Sequence, residues 1–159
     1  MRRLVAVFDI DGVLADVRHR VHHVDRSRPD WGAFFAEARH DPPLREGVAL
    51  AHESAKDCDV LYVTGRPEQC RTDTERWLAR HELPPGELTM RPGHDRRPAH
   101  VVKPELLAQM ALDRVVAVVV DDDEQVCRAY EKAGFRVLHA TWMGAEPALE
   151  RAQEDDGRT

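Results

Sequence analysis

The sequence predicts an α/β domain built on a doubly wound parallel sheet, and three observations carry that prediction. Short β-branched runs, apolar on both faces, alternate with segments of helical spacing. Three of those runs end abruptly in charged or hydroxyl-bearing residues. A length of 159 residues with 42% apolar composition suits one core rather than two.

Taken in order, the strands are LVAVF at 4–8, VLYVT at 60–64 and VVAVVV at 115–120, with weaker candidates ELTM at 87–90 and FRVLHA at 135–140. Such runs are what a strand covered by helices on both sides requires. The helices fall at 44–57, 67–81, 103–110 and 124–134. In the second, Pro67 suits a first turn and Trp77 and Leu78 face the core; the last is closed by Gly134. Right-handed crossovers turn this alternation into one sheet with helices on both faces. Residues 17–43 interrupt it as a modest insert, in which WGAFFAEA at 31–38 forms a short helix ended by DPP at 41–43. The domain is expected to fill residues 1–143, and 144–159 to be a polar tail that starts helical and frays.

A formal net charge of −6 argues against coating nucleic acid through a global positive field. Basic residues do cluster locally, as Arg18, Arg20, Arg26 and Arg28, and again as Arg91, Arg96, Arg97 and Lys103. Three cysteines with no C-x-x-C pair exclude a disulfide framework and a zinc ribbon, so a cytoplasmic location is expected. The run from Leu4 to Phe8 is too short for a signal segment, and VVAVVV is far short of a membrane span.

In open α/β sheets, ligands bind beyond the carboxyl ends of the strands. DIDG at 9–12, TGR at 64–66 and DDD at 121–123 converge on that edge. The aspartates after the first and fourth strands then face each other, and unpaired like charges that close call for a cation between them. Hard oxygen ligands without nearby His or Cys favour Mg²⁺, which binds through a few carboxylates, waters and a substrate phosphate. Thr64 can hydrogen-bond such a phosphate, and Arg66 and Lys103 can balance its charge. Each piece has a plainer reading: the Asp-x-Asp as a turn, DDD as a helix N-cap, Lys103 as a solvated helix-start lysine. Their joint occurrence, each at a strand end or helix start, argues against all of these together.

DIDGVLAD, VTGR, the lysine of VVK and VVVDDD are similar to the four motifs of the haloacid dehalogenase-like (HAD) phosphohydrolases, over about residues 4–142. The resemblance implies a Rossmann-like core of strand order 3-2-1-4-5 and a Mg²⁺-dependent phosphatase working through an aspartyl-phosphate. It makes Asp9 the nucleophile, Asp11 the general acid/base, Thr64 the phosphate-binding hydroxyl and Lys103 the motif-three lysine. Asp9, Asp11, Asp121 and Asp122 are its expected Mg²⁺ site. Asp11, two residues on and so on the same side of an extended chain, protonates the leaving oxygen and later activates water. That role asks for a protonated Asp11 when substrate arrives.

LYVTGRPEQCRTDTERWLARHEL and MRPGHDRRPAHVVKPELL resemble the 3′-phosphatase domain of phage-type polynucleotide kinase-phosphatases. Arg66, Arg71, Thr74, Trp77, Arg91 and Lys103 fall on its pattern. The resemblance implies a substrate with a 3′-phosphate, a nucleic-acid end or a nucleotide, held by Gly65, Arg66, Arg91 and Arg97. Where that family shows DDR this chain has Asp121, Asp122 and Asp123, which leaves the arginine's contribution open. No G-x-x-x-x-G-K-[ST] occurs, so a kinase partner would be a separate chain.

The 17–43 insert is too short for a large cap domain, so the site is expected to be open enough for a polymer end, with Arg66, Arg91, Arg96 and Arg97 on flanking phosphates. The alternative for RPGHDRR is a solvated loop whose arginines pair with Asp95 and Glu87. His22 and His23 are adjacent and cannot share a face, so with His19 they read as a basic surface rather than a zinc site. Trp31, Phe34 and Phe35 either stack a base at the mouth or pack inward, and their i, i+3, i+4 spacing favours packing. Two other functions fit the same residues: a small-molecule phosphatase such as a 5′-nucleotidase, or a non-catalytic HAD-fold partner of a separate kinase.

Overall fold

A computed structural model describes residues 3–159; residues 1 and 2 of the expected domain lie outside the described residues. Five strands, β1 Arg3–Phe8, β2 Asp59–Pro67, β3 Leu88–Arg91, β4 Arg114–Asp121 and β5 Val137–His139, form one sheet in the order β3-β2-β1-β4-β5. Every pairing is parallel, as the doubly wound class requires. The chain runs outward from β1 to β3 and then crosses back to β4, so the order reverses between β1 and β4, where open α/β sheets form their crevice.

The helices are α1 Trp31–Ala36, α2 Arg45–Ser54, α3 Arg71–Arg80, α4 Ala99–Met110, α5 Glu124–Lys132 and α6 Pro147–Glu150. Side chains of β1 alternate between the two faces as the period of a strand dictates. Ala6 and Phe8 join Tyr62, Trp77 and Leu78 in one core, whereas Val5 and Val7 join Leu107, Val126 and Tyr130 in the other. Burial on both faces holds for the upper part of β4, but Val115 is 44% exposed, as is its partner Leu4 across the ladder. The sheet is open to solvent at the end away from the crevice.

Several boundaries differ from the sequence reading for identifiable reasons. Pro67 ends β2 in extended geometry instead of opening a helix, and the β2–β3 register shifts between Thr64 and Pro67. A 3-10 turn, Glu68–Cys70, follows before α3 starts. The α4 helix begins at Ala99, one turn before Lys103, and so carries Pro104 inside it. Burial of Ala99, Val102 and Lys103 on that first turn supports it against the missing N–H of the proline. Gly134 does close α5: at φ +93 it donates to Glu131 O, Phe135 donates to Tyr130 O, and the two rings meet edge to face.

The tail does not fray. Beyond α6 it makes a π turn, Arg151–Asp155, and Leu149 packs with Val17, Leu44 and Met143. Ala148, Leu149 and Ala152 form an apolar stripe, and the polar residues Gln153, Glu154 and Thr159 are buried as well. Among the described residues no helix is long and apolar enough to cross a membrane.

Gly47 sits where α2 crosses the loop after β1, and a Cβ there would stand 1.9 Å from the Val13 carbonyl oxygen. Gly-to-Ala in a helix normally gains up to ~1 kcal/mol. Gly47→Ala is expected instead to lose about 1–3 kcal/mol, because backbone must move. Gly32→Ala, whose new Cβ meets nothing closer than 3.5 Å, is the control and should be neutral or stabilising. Thermal unfolding of the two variants measures both signs.

Candidate active site

Asp9 follows β1 directly, with its N–H on the carbonyl of Val120, so its side chain emerges beside the end of β4. Lys103, delivered by α4, places Nζ 2.7 Å from Asp121 Oδ2 and 3.2 Å from Asp9 Oδ1. All three are buried. Asp122 completes the group: Asp9, Asp121 and Asp122 each offer an oxygen within 4.8 Å of the others. Gly12, at φ +82, lies so close that a Cβ would stand 2.2 Å from Asp122 Oδ2, so both the turn and the contact exclude any other residue.

One lysine does not balance three carboxylates. Asp9 Oδ2 and Asp122 Oδ1 are buried with no hydrogen-bond partner. Burial, then Asp121, pushes Asp9 up to about 7 against the pull of Lys103. Burial and Asp9 push Asp122 well above the usual carboxylate range. Lys103 stays charged, because Asp121 and Asp9 outweigh the burial that disfavours its cation. Shielded, unbonded carboxylate oxygens short of positive charge are what a hard divalent cation coordinates, so the donor set fits Mg²⁺.

The carboxylate of Asp11 turns away from that trio, so the fourth expected metal ligand faces arginines instead. Its Oδ1 accepts from Arg66 Nη2 at 2.6 Å, Arg66 Nε at 2.9 Å and Arg20 Nη2 at 3.1 Å. Both arginines also hold Asp41: Arg20 Nε at 2.7 Å and Arg66 Nη2 at 3.0 Å. The result is a buried ring of two arginines and two aspartates. The α3 helix braces it, Thr74 accepting from Arg66 Nη1 and Trp77 donating to the Asp41 carbonyl. His19 lies on Asp41 as well. Burial alone would raise the pKa of Asp11, but Arg66 and Arg20 outweigh it and hold the carboxyl well below its usual range. The arginines thus favour the ionised carboxylate while no substrate is bound, whereas the expected protonation concerns the moment when substrate arrives.

The remaining expected residues divide. Thr64 is buried and accepts the N–H of Arg66 on its hydroxyl. Arg91 is buried on carbonyls only, Gly65 O at 2.9 Å and Arg97 O at 2.6 Å, with Thr159 O at 3.4 Å. No Asp or Glu side chain of the described residues is bonded to it, and burial lowers it to about 10. Arg97 is exposed and pairs with Asp95 and Glu105, while Glu87 pairs with Arg114. Gly65 is covered by the tail: a Cβ there would stand 2.2 Å from the backbone carbon of Thr159. Asp123 caps α5 by accepting from Gln125 N, and burial, with Glu154 beside it, raises it to about 7.

Sequence reasoning missed three residues here. Arg20 reads as one of a basic cluster and Asp41 as a turn residue, yet they close the ring around Asp11. Thr159 ends a polar tail, yet its hydroxyl donates to Asp11 Oδ2 at 2.8 Å. The only available signal for the tail was the apolar stripe of Ala148, Leu149 and Ala152.

No curated protein matches the sequence. Among solved structures, a chain of the Pnkp1/Rnl/Hen1 complex superposes with TM-score 0.73 at 21% identity, over 87% of this chain and 46% of that one. The HAD-like hydrolase SP0104 from Streptococcus pneumoniae gives 0.61 at 16% identity, over 97% and 92%. L-2-haloacid dehalogenase from Xanthobacter autotrophicus gives 0.61 at 14%, over 95% and 82%. These likenesses show a shared fold, and this chain spans less than half the length of the Pnkp1/Rnl/Hen1 chain it matches. The family described as the polynucleotide kinase PNKP phosphatase domain matches residues 4–142. With that match over most of its length, the chain belongs to the PNKP phosphatase-domain family of HAD-type phosphatases.

Proposed function

We propose that the domain hydrolyses 3′-phosphate ends of polynucleotides or nucleotides, with Asp9 as nucleophile and Mg²⁺ on Asp9, Asp121 and Asp122. The observation that carries this reading is Asp9 itself: one oxygen rests on Lys103, and the other is buried and unbonded at the end of the central strand. Mg²⁺ held there supplies the positive charge that three carboxylates and a phosphoryl group lack between them.

Asp9 attacks phosphorus, and a carboxylate oxygen–phosphorus bond forms as the bond to the ester oxygen breaks. Lys103 keeps Asp9 oriented and limits its repulsion from the phosphate. Asp11 gives the departing oxygen its proton. Arg20 and Arg66 hold Asp11 ionised at rest, so its proton affinity must rise as substrate binds. An arriving phosphate does this, because its negative charge opposes the pull of the arginines. In the second half, Asp11 takes a proton from water as the water oxygen attacks phosphorus, which frees phosphate and restores the Asp9 carboxylate.

Arg91 supports an anionic substrate, since a buried guanidinium bonded to no Asp or Glu side chain has unused charge next to Gly65. Thr64 retains a hydroxyl hydrogen to donate, and the Thr159 tip must leave Gly65 for phosphate to reach it. The 3′-phosphate rests on the family and on the absence of a large cap over the site. These 159 residues contain no kinase P-loop, so we assign any coupled kinase step to polypeptide outside them.

With a 3′-phosphorylated oligonucleotide, Asp9→Asn is expected to abolish phosphate release, and Asp11→Asn to lower it about 10²–10⁴-fold. A 5′-phosphorylated oligonucleotide should be a poor substrate; equal turnover of both would point to the small-molecule alternative. Arg91→Ala should raise KM about 10-fold or more with kcat little changed, as loss of one charge-assisted contact does. Mg²⁺ should raise the melting temperature, by an amount equivalent to about 2.7 kcal/mol at one hundred times its Kd. Asp122→Asn should remove that shift, which calorimetry measures without any substrate.

A further inference from the structure

Of the three aromatics in the insert, Phe34 belongs to the interior: it is fully buried, with the Arg20 guanidinium 4.2 Å from its ring centroid. Trp31 and Phe35 are only half-buried and lie against each other, centroids 6.2 Å apart at 30°. They wall a groove of about 350 Å³ whose other side carries Gln69 and Asp73. That volume falls in the range of small-ligand clefts.

The tail contributes to the wall of this groove through Arg158. Arg158 places its guanidinium carbon 5.1 Å from the Trp31 ring centroid. The next residue, Thr159, donates its hydroxyl to Asp11 Oδ2 at 2.8 Å. One dipeptide thus sets a planar group on an indole and a hydroxyl on the proposed general acid. Asp11 faces the oxygen that leaves phosphorus, so a hydroxyl there stands where the product alcohol forms. The separation bridged is one residue, with Cα atoms about 3.8 Å apart. In a nucleotide, one sugar ring separates the 3′ oxygen from the base, which is a comparably short reach.

We propose that Trp31 is the stacking subsite for the base of the 3′-terminal nucleotide, and that Arg158 and Thr159 fill the base and leaving-oxygen positions until substrate displaces them. This rests on the phosphatase reading above and adds the element of the substrate that it recognises. A base stacked on an aromatic ring is held more strongly than an exposed cation over the same ring, so the exchange favours the nucleotide. Stacking also accepts any base, as an enzyme acting on ends of arbitrary sequence needs.

The test uses the full chain with Asp9→Asn, so that bound ends persist, and measures fluorescence anisotropy of a labelled oligonucleotide bearing a 3′-phosphate. The same oligonucleotide with an abasic 3′-terminal residue is the comparison. The base-bearing end should bind about 5- to 100-fold more tightly than the abasic end. Adding Trp31→Leu should erase that preference while leaving abasic binding unchanged, and Trp31→Phe should retain most of it. A 3′-mononucleotide, read by competition, should show the same dependence on Trp31. Equal binding of both ends, an equal loss of both with Trp31→Leu, or a 3′-mononucleotide indifferent to Trp31 would each overturn the subsite. Phosphate release by the unsubstituted chain is scored separately. Its failure would count against the phosphatase reading, while the binding comparison would still decide the subsite.

Discussion

Lys103 binds two carboxylates, one beyond the end of β1 and one at the end of β4, and the rest of the crevice follows from that contact. A buried ammonium without partners would lose its proton, and two buried carboxylates without a cation would gain one. Lys103 stays charged between them and ties the ends of β1 and β4 to α4. The compensation is incomplete, because Asp122 adds a third carboxylate and Asp9 and Asp122 keep unbonded oxygens. That deficit is the feature that suits a divalent cation in the proposed reading.

Asp11 occupies a separate electrostatic compartment. Asp9 and Asp11 are two residues apart, yet one is pushed up to about 7 and the other is held well below the usual range. The difference is the partner set: one lysine shared among carboxylates against two arginines shared with Asp41. Two carboxyls in the same turn thereby sit in opposite electrostatic settings, which is the difference the proposed roles of nucleophile and proton carrier rest on. Asp41 touches neither the metal trio nor the tail. It satisfies the second edge of each guanidinium and so keeps both aimed at Asp11.

How far these features were legible depends on whether they were local. Strand ends carry their chemistry within three or four residues, so DIDG, TGR and DDD announced a common edge before any contact was known. The sheet order followed the resemblance, and the parallel class followed the apolar runs. Arg20, Asp41 and Thr159 lie 9, 30 and 148 positions beyond Asp11, and no periodicity or spacing connects them to it. The R-x-x-T-x-x-WL helix was partly legible: Trp77 and Leu78 do pack inward, but Thr74 and the Trp77 indole N–H also brace the arginine ring. Pro67 misled because proline suits a strand's last position as well as a helix's first.

The tail is held unevenly along its length, by apolar burial at its start and by polar contacts at its tip. Leu149 and Ala152 are buried with the body of the domain, and one fully buried leucine contributes about 1.5–3 kcal/mol. The tip holds by the Thr159 hydroxyl, a long bond from Arg91 and the Arg158 contact with Trp31. Each of these two hydrogen bonds has one charged partner, Asp11 or Arg91, and such bonds contribute about 1.5–3 kcal/mol each. Between them, Glu154 is buried next to Asp123, an acid where the family pattern carries arginine, so this middle section gains no ion pair from that side. Its carboxylate lies against the His100 ring nitrogen Nδ1 on α4. In the proposed reading an anionic substrate would compete with the tip alone, for Arg91 and the space over Gly65, and would leave the leucine anchor in place.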